Sequence, residues 1–132
     1  MTKICKLKKK ISKITQEVNK VYSEKNPSTY FRDNNEVAKF IKNRKNFLLK
    51  LKLPKKLFHN STLIDFGCGM GQNTLVYDHL GSECTLIEFD KHSYISAKKL
   101  FKGYAKNFFK TYNTDLFNYK LNKKYDFVVS NG

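Results

Sequence analysis

LIDFGCGMGQNT, residues 63–74, is an apolar run that reaches an acid at Asp65 and then breaks into Gly67, Gly69 and Gly71, each one residue from the next. An apolar run of this length, ended by glycines, reads as a buried strand running into a tight loop. Bare backbone positions there let a ligand approach the main chain where a Cβ would collide with it. The order strand, glycine loop, helix is the opening unit of a parallel α/β sheet, in which ligands sit beyond the carboxyl ends of the strands.

Downstream, the pattern repeats. Strands are expected at 62–66, 84–89, 109–114 and 125–130, with helices at 72–80 and 92–108 between them. Gly81 stands where a helix-ending glycine belongs. Alternating strands and helices imply right-handed crossovers about a parallel sheet. Upstream, Ile4, Leu7, Ile11, Ile14, Val18 and Val21 recur in steps of three and four, the stripe of an amphipathic helix whose other face is mostly lysine. Asn26-Pro27-Ser28 breaks it, because proline removes a donor and disfavours helix in the residue before it. A second helix is expected from Asn34 or Asn35, either of which suits the cap, to before Pro54, burying Val37, Phe40, Ile41, Phe47, Leu48 and Leu51. Residues 1–57 therefore read as a helical cap or lid and 58–132 as the α/β part.

The composition narrows the class. The chain of 132 residues is 40% hydrophobic, enough for one domain with a core. No apolar stretch approaches the roughly 20 residues of a membrane span, and the N-terminus lacks a signal-type apolar core, so a cytoplasmic protein is expected. Cys5, Cys68 and Cys84 are scattered, which suggests neither a disulfide framework nor a metal site. The formal charge of +15 points towards an anionic partner. Only Arg32 and Arg44 are arginines, however, leaving 24 of the 26 basic residues as lysine, and bidentate phosphate or base recognition favours arginine. Abundant Lys, Asn, Phe, Tyr and Ile also match the residue usage of an AT-rich genome, so nucleic acid is the less favoured partner.

Two well-known loops can be tested against the glycines. A phosphate-cradling G-x-x-x-x-G-K-[ST] needs a lysine that does not follow Gly71, and G-x-G-x-x-G needs a glycine where Gln72 or Thr74 stands. Both fail. What matches is acid-x-Gly-x-Gly-x-Gly at Asp65, Gly67, Gly69 and Gly71. This resembles motif I of the class I S-adenosylmethionine-dependent methyltransferases. The chemistry agrees, since that cofactor carries a cationic sulfonium and amino group and no phosphate.

The resemblance implies a Rossmann-like parallel sheet and a cofactor site formed by Asp65, Gly67, Cys68, Gly69, Gly71, Glu88, Phe89, Asp115, Leu116 and Ser130. Glu88, in LIEFD, stands about 20 residues beyond the first glycine, where a carboxylate would accept from both ribose hydroxyls. Phe89 would lie against the adenine. Asp90 is the rival acid on the same side. IEFDKHSYISAKK also resembles the family's second motif. In Asn113-Thr114-Asp115-Leu116 the acid would accept from the adenine amino group, and YDFVVSNG resembles motif IV, whose end faces the methyl group. Asp126, at the start of that strand, reads as a structural cap or pair. Asp65, Glu88, Asp90 and Asp115 all fall at expected carboxyl ends, giving a basic chain an acidic mouth.

Methyl transfer is an in-line displacement from a good leaving group, so alignment rather than a dedicated base is the main requirement. No catalytic residue is assigned. His59, His79 and His92 read as surface or capping residues, Cys68 as packing rather than a nucleophile, and Tyr30, Phe31 and Arg32 as a stretch able to close over the site. At the end of the fourth strand Gly132 follows Asn131 where amide and amino-nitrogen methyltransferases carry proline, which favours a small-molecule acceptor. The resemblance covers 58–132, the first half of a seven-stranded fold, and a sequence truncated after motif IV is expected. The alternatives are a non-catalytic cofactor- or RNA-binding fragment using the lysine-faced first helix, an RNA methyltransferase, and a nicotinamide-dependent oxidoreductase.

Overall fold

A computed structural model describes residues 31–130 and, before them, Lys10, Lys13, Ile14, Gln16 and Glu17. Tyr30, Asn131, Gly132 and most of the expected first helix lie outside the described residues. The elements are helix α1 (Asn34–Lys50), a 3-10 turn (Lys55–Phe58), strand β1 (Ser61–Phe66), helix α2 (Gln72–His79), strand β2 (Ser82–Glu88), helix α3 (Lys91–Tyr104), strand β3 (Phe109–Asn113) and strand β4 (Phe127–Val129). The sheet runs β3-β2-β1-β4, with every pairing parallel. The expected α/β Rossmann-like sheet is therefore present, with β4 at its edge and Val128 66% exposed there.

Strand alternation divides the sheet into two faces. Leu63, Cys84 and Leu86 join Val37, Ile41, Leu48, Leu75, Val76, Ala97 and Phe101 in one core, so α1, α2 and α3 pack on the same face. Fully burying a side chain such as Phe101 or Leu63 contributes about 1.5–3 kcal/mol. Towards the other face, Tyr125 donates its hydroxyl to Thr85 Oγ1 at 3.2 Å, and Tyr119 packs on Phe66 and Tyr112. At the amino ends, the Ser61 and Ser82 hydroxyls are 2.7 Å apart and both donate to the Phe58 carbonyl, seating the two central strands on the 3-10 turn.

Three features differ from expectation. Asp33, not Asn34 or Asn35, caps α1, its Oδ1 accepting from the Glu36 N–H at 2.9 Å. Along α1 only Val37, Ile41 and Leu48 are buried, with Phe40 partly so. Phe47 and Leu51 are 44% and 55% exposed, and Phe47 instead lies beneath the Arg44 guanidinium. Helix α3 stops at Tyr104 rather than near 108, because the Lys106 and Asn107 N–H groups donate to the buried Asp78 carboxylate at 2.7 and 2.9 Å. Asp126 has the structural role expected of it: Oδ2 accepts from the Thr62 N–H and Oγ1 and pins the start of β4 to β1.

No helix among the described residues is long and apolar enough to cross a membrane.

Candidate cofactor site at the carboxyl ends of the strands

The three glycines of the opening motif divide into two kinds. All have positive φ, at 74°, 58° and 79° for Gly67, Gly69 and Gly71. A Cβ placed on Gly67 or Gly69 would meet no atom within 4 Å, so these two face open space above the loop. A Cβ on Gly71 would stand 3.2 Å from both Ala97 Cβ and Leu86 Cδ2 and 3.4 Å from Phe101. Gly71 therefore brings α2 close to α3 and the sheet, whereas Gly67 and Gly69 leave a bare cradle on the outer side.

Glu88, at the end of β2, closes one side of that cradle. Its Oε2 accepts from the Gly69 N–H at 2.7 Å, and its Oε1 from the Asp90 N–H at 2.9 Å. A carboxylate has about four acceptor positions, so both oxygens retain capacity for further donors. The loop is held from the other direction by the Gly67 and Cys68 N–H groups, which donate to the Ile87 carbonyl at 2.9 and 3.2 Å. Motif I and the acid of β2 are thus one hydrogen-bonded unit.

The four acids of the expected mouth are not equivalent. Asp65 is 0% exposed and accepts from Thr74 Oγ1 at 2.6 Å, tying the end of β1 to the first turn of α2 beneath the loop. Asp90 is 8% exposed and caps α3 through the Ser93 N–H at 2.8 Å. Only Glu88 and Asp115 stand half-buried at the mouth. Asp115 opens a turn after β3, its Oδ1 accepting from the Phe117 N–H at 2.9 Å, with Leu116 exposed beside it.

Phe89 is half-buried immediately after β2. Asn113 Nδ2 donates to the carbonyls of both Glu88 and Phe89, at 2.9 and 2.8 Å, and fixes the backbone that presents them. Sequence reading gave Asn113 and Thr74 no role, since each acts on a neighbour that only the fold supplies. Ser130, beyond β4, donates its Oγ to the Phe66 carbonyl at 3.0 Å. The expected site residues therefore all lie at or beneath the carboxyl ends of β1, β2, β3 and β4, on both sides of the loop.

The other candidates have different surroundings. Cys68 is buried in the core, and burial together with Asp65 and Glu88 pushes its thiol well above the usual range, so it stays protonated and packs. His59 and His92 are exposed. His79 closes α2 by donating Nε2 to the Tyr104 carbonyl at 2.9 Å, and burial lowers its pKa. Arg32 pairs with Glu36 at 2.7 Å, and Phe31 packs on Phe40. Among the described residues, no cluster of His, Cys, Asp and Glu is placed to hold a metal. A cavity of about 1440 Å³ lies apart from this cradle, between α1 and α3, and touches the loop region at Met70 and Gln72.

Comparison with known proteins gives this geometry a family. The Haemonchus contortus phosphoethanolamine N-methyltransferase 1 structure, with phosphoethanolamine and S-adenosylhomocysteine, superposes with a TM-score of 0.60 at 16% identity, over 87% of this chain and 24% of that one. A Thermus thermophilus 16S rRNA N2 G1207 methyltransferase with AdoMet and guanosine gives 0.57 at 21% identity, over 80% and 27%. TehB from Haemophilus influenzae gives 0.51 at 22% identity, over 83% and 32%. The chain thus spans about a third or less of the length of each of these three. No curated protein matches in sequence. The profile described as "Tellurite resistance protein TehB" matches residues 26–132, most of the chain, and the chain belongs to this family of S-adenosyl-L-methionine-dependent methyltransferases.

Proposed function

We propose that the chain binds S-adenosyl-L-methionine across the Gly67–Gly71 loop and serves methyl transfer to a small acceptor. The observation that carries this reading is the open cradle at Gly67 and Gly69 closed on one side by Glu88. In it, Gly67, Cys68 and Gly69 offer backbone to the methionine and ribose, and Glu88 accepts from the ribose hydroxyls. Phe89 lies against the adenine, Asp115 accepts from its amino group, and Leu116 flanks it. Ser130 stands nearest the methyl end. Asp65 supports the loop from below through Thr74, and Gly71 sets the start of α2. Residues 58–132 hold the cofactor and residues 1–57 cap it, in the cytoplasm, where Cys68 and Cys84 remain free thiols.

S-adenosyl-L-methionine, when bound, would supply an electrophilic methyl on a sulfonium, open to an acceptor's lone pair with the S–CH3 bonding pair left on sulfur. The task of this chain is to bind and orient, which can supply on the order of 7–11 kcal/mol of a barrier. No side chain described at the mouth is placed as a dedicated base, which fits an acceptor that arrives with a lone pair available. Tellurite, in the name of the family, is the first acceptor to try. Release of S-adenosylhomocysteine on adding tellurite or another small nucleophile, abolished by Gly67→Val, is expected. Cofactor binding without release for any small acceptor, but with release for RNA, would overturn the acceptor assignment.

A further inference from the structure

The cavity between α1 and α3 is separate from the cofactor cradle and has its own chemistry. Its walls carry Lys42, Lys45, Lys55, Lys99, Lys102 and Lys106, and its lining includes no Asp or Glu. None of these lysines forms an ion pair with a carboxylate among the described residues, and all but Lys45 are exposed. At one end Lys45, which donates Nζ to the His79 carbonyl at 3.3 Å, has its pKa lowered first by burial and then by Lys106 and Lys55. A groove walled by exposed lysines with no acid in its lining attracts an anion from outside.

Between the lysine walls the surface is apolar. Val37, Ile41 and Leu100 form the floor, Ile95 is 53% exposed, and the rings of Phe31 and Tyr104 stand along it. The groove follows α3 from His92 to Tyr104, a length of about 18 Å. A long apolar floor with rings, bordered on both sides by cations, suits a single-stranded polyanion whose bases lie on the floor and whose phosphates meet the rims. Lysine in place of arginine fits phosphates contacted as point charges, and fits poorly with bidentate carboxylate recognition by an acidic peptide. A second copy of the chain, carrying +15, has the wrong charge to fill the groove.

We propose that the α1–α3 groove binds single-stranded RNA. Asn46, exposed in its lining, offers a neutral donor and acceptor of the kind that reads a 2′-hydroxyl. Met70 and Gln72 bring one end of the groove to the glycine loop, so a strand held there passes beside the cofactor cradle. The binding is independent of which acceptor receives the methyl group.

The test separates the groove from bulk charge. Binding of a fluorescent single-stranded RNA, followed by anisotropy, is compared between a Lys42/Lys99/Lys102→Gln variant and a Lys50/Lys120/Lys124→Gln variant, whose lysines are exposed and outside the groove. The two carry the same net charge, and circular dichroism checks that both keep the wild-type melting behaviour. The groove variant is expected to lose at least tenfold in affinity at about 0.1 M salt, and its log-log salt slope to fall by about 2, from roughly 0.7 per phosphate contact. The control is expected to stay within about twofold of wild type. Equal losses in the two variants would overturn the proposal, as would tighter binding of an acidic peptide or equally tight binding of the matching DNA.

Discussion

Alanine at each glycine of the loop tests whether the motif serves two masters. All three residues have left-handed backbone, which disfavours a side chain by about 1–2 kcal/mol wherever it is placed. The smaller entropy of the unfolded alanine chain returns about 0.4–1 kcal/mol. At Gly67 and Gly69 nothing is added, because the new Cβ meets no atom. At Gly71 the Cβ approaches Ala97, Leu86 and Phe101 at 3.2–3.4 Å, and overpacking of this kind adds about 1–3 kcal/mol. The net destabilisation is therefore about 1 kcal/mol at Gly67 or Gly69 and about 2–4 kcal/mol at Gly71. At about 4 °C per kcal/mol for a domain of this size, the melting temperature falls by about 4 °C in the first case and about 8–16 °C in the second. Calorimetric titration with S-adenosylhomocysteine should show the reverse order: Gly67→Ala and Gly69→Ala lose binding while folded, and Gly71→Ala, measured well below its melting point, retains more of it. Equal melting temperatures for all three, or normal binding by Gly67→Ala and Gly69→Ala, would refute the division.

Three further outcomes follow from buried groups. Asp78→Ala removes two charge-assisted bonds that turn the chain out of α3, and denaturant unfolding should show a loss of about 3–6 kcal/mol. Cys68 and Cys84 have thiols raised by burial first and then by neighbouring carboxylates, so in a Cys5→Ser background neither should alkylate in the native state at mildly alkaline pH. The unfolded chain begins to release these thiol protons near pH 8.5 while the folded chain holds them. Stability is therefore fully present below that pH and is lost as pH rises, and a Cys84→Ala variant should show a shallower alkaline decline in urea midpoint.

The parallel sheet was legible because each strand is an apolar run ended by turn chemistry, and the loop because glycine spacing rejects two phosphate-binding patterns. A residue whose role is local was read well: Gly81 ends α2 with φ of 108°. What sequence could not give depends on partners distant along the chain. The end of α3 is decided by Asp78, some 28 residues earlier. Asp65, Glu88, Asp90 and Asp115 look alike in sequence, yet one lies under the loop, one caps a helix, and two remain at the mouth. The lysine excess read as genome composition, because its concentration along one groove becomes visible only when α1 and α3 are set side by side.

The central claim is that Glu88 and the glycine cradle form one cofactor site. Titration of S-adenosylhomocysteine into the wild-type chain and into Glu88→Ala tests it most directly. One site on the wild type and an affinity at least tenfold weaker in the variant are predicted, with each lost hydrogen bond to the carboxylate contributing about 1.5–3 kcal/mol. Equal binding by both, or binding by neither, would contradict it.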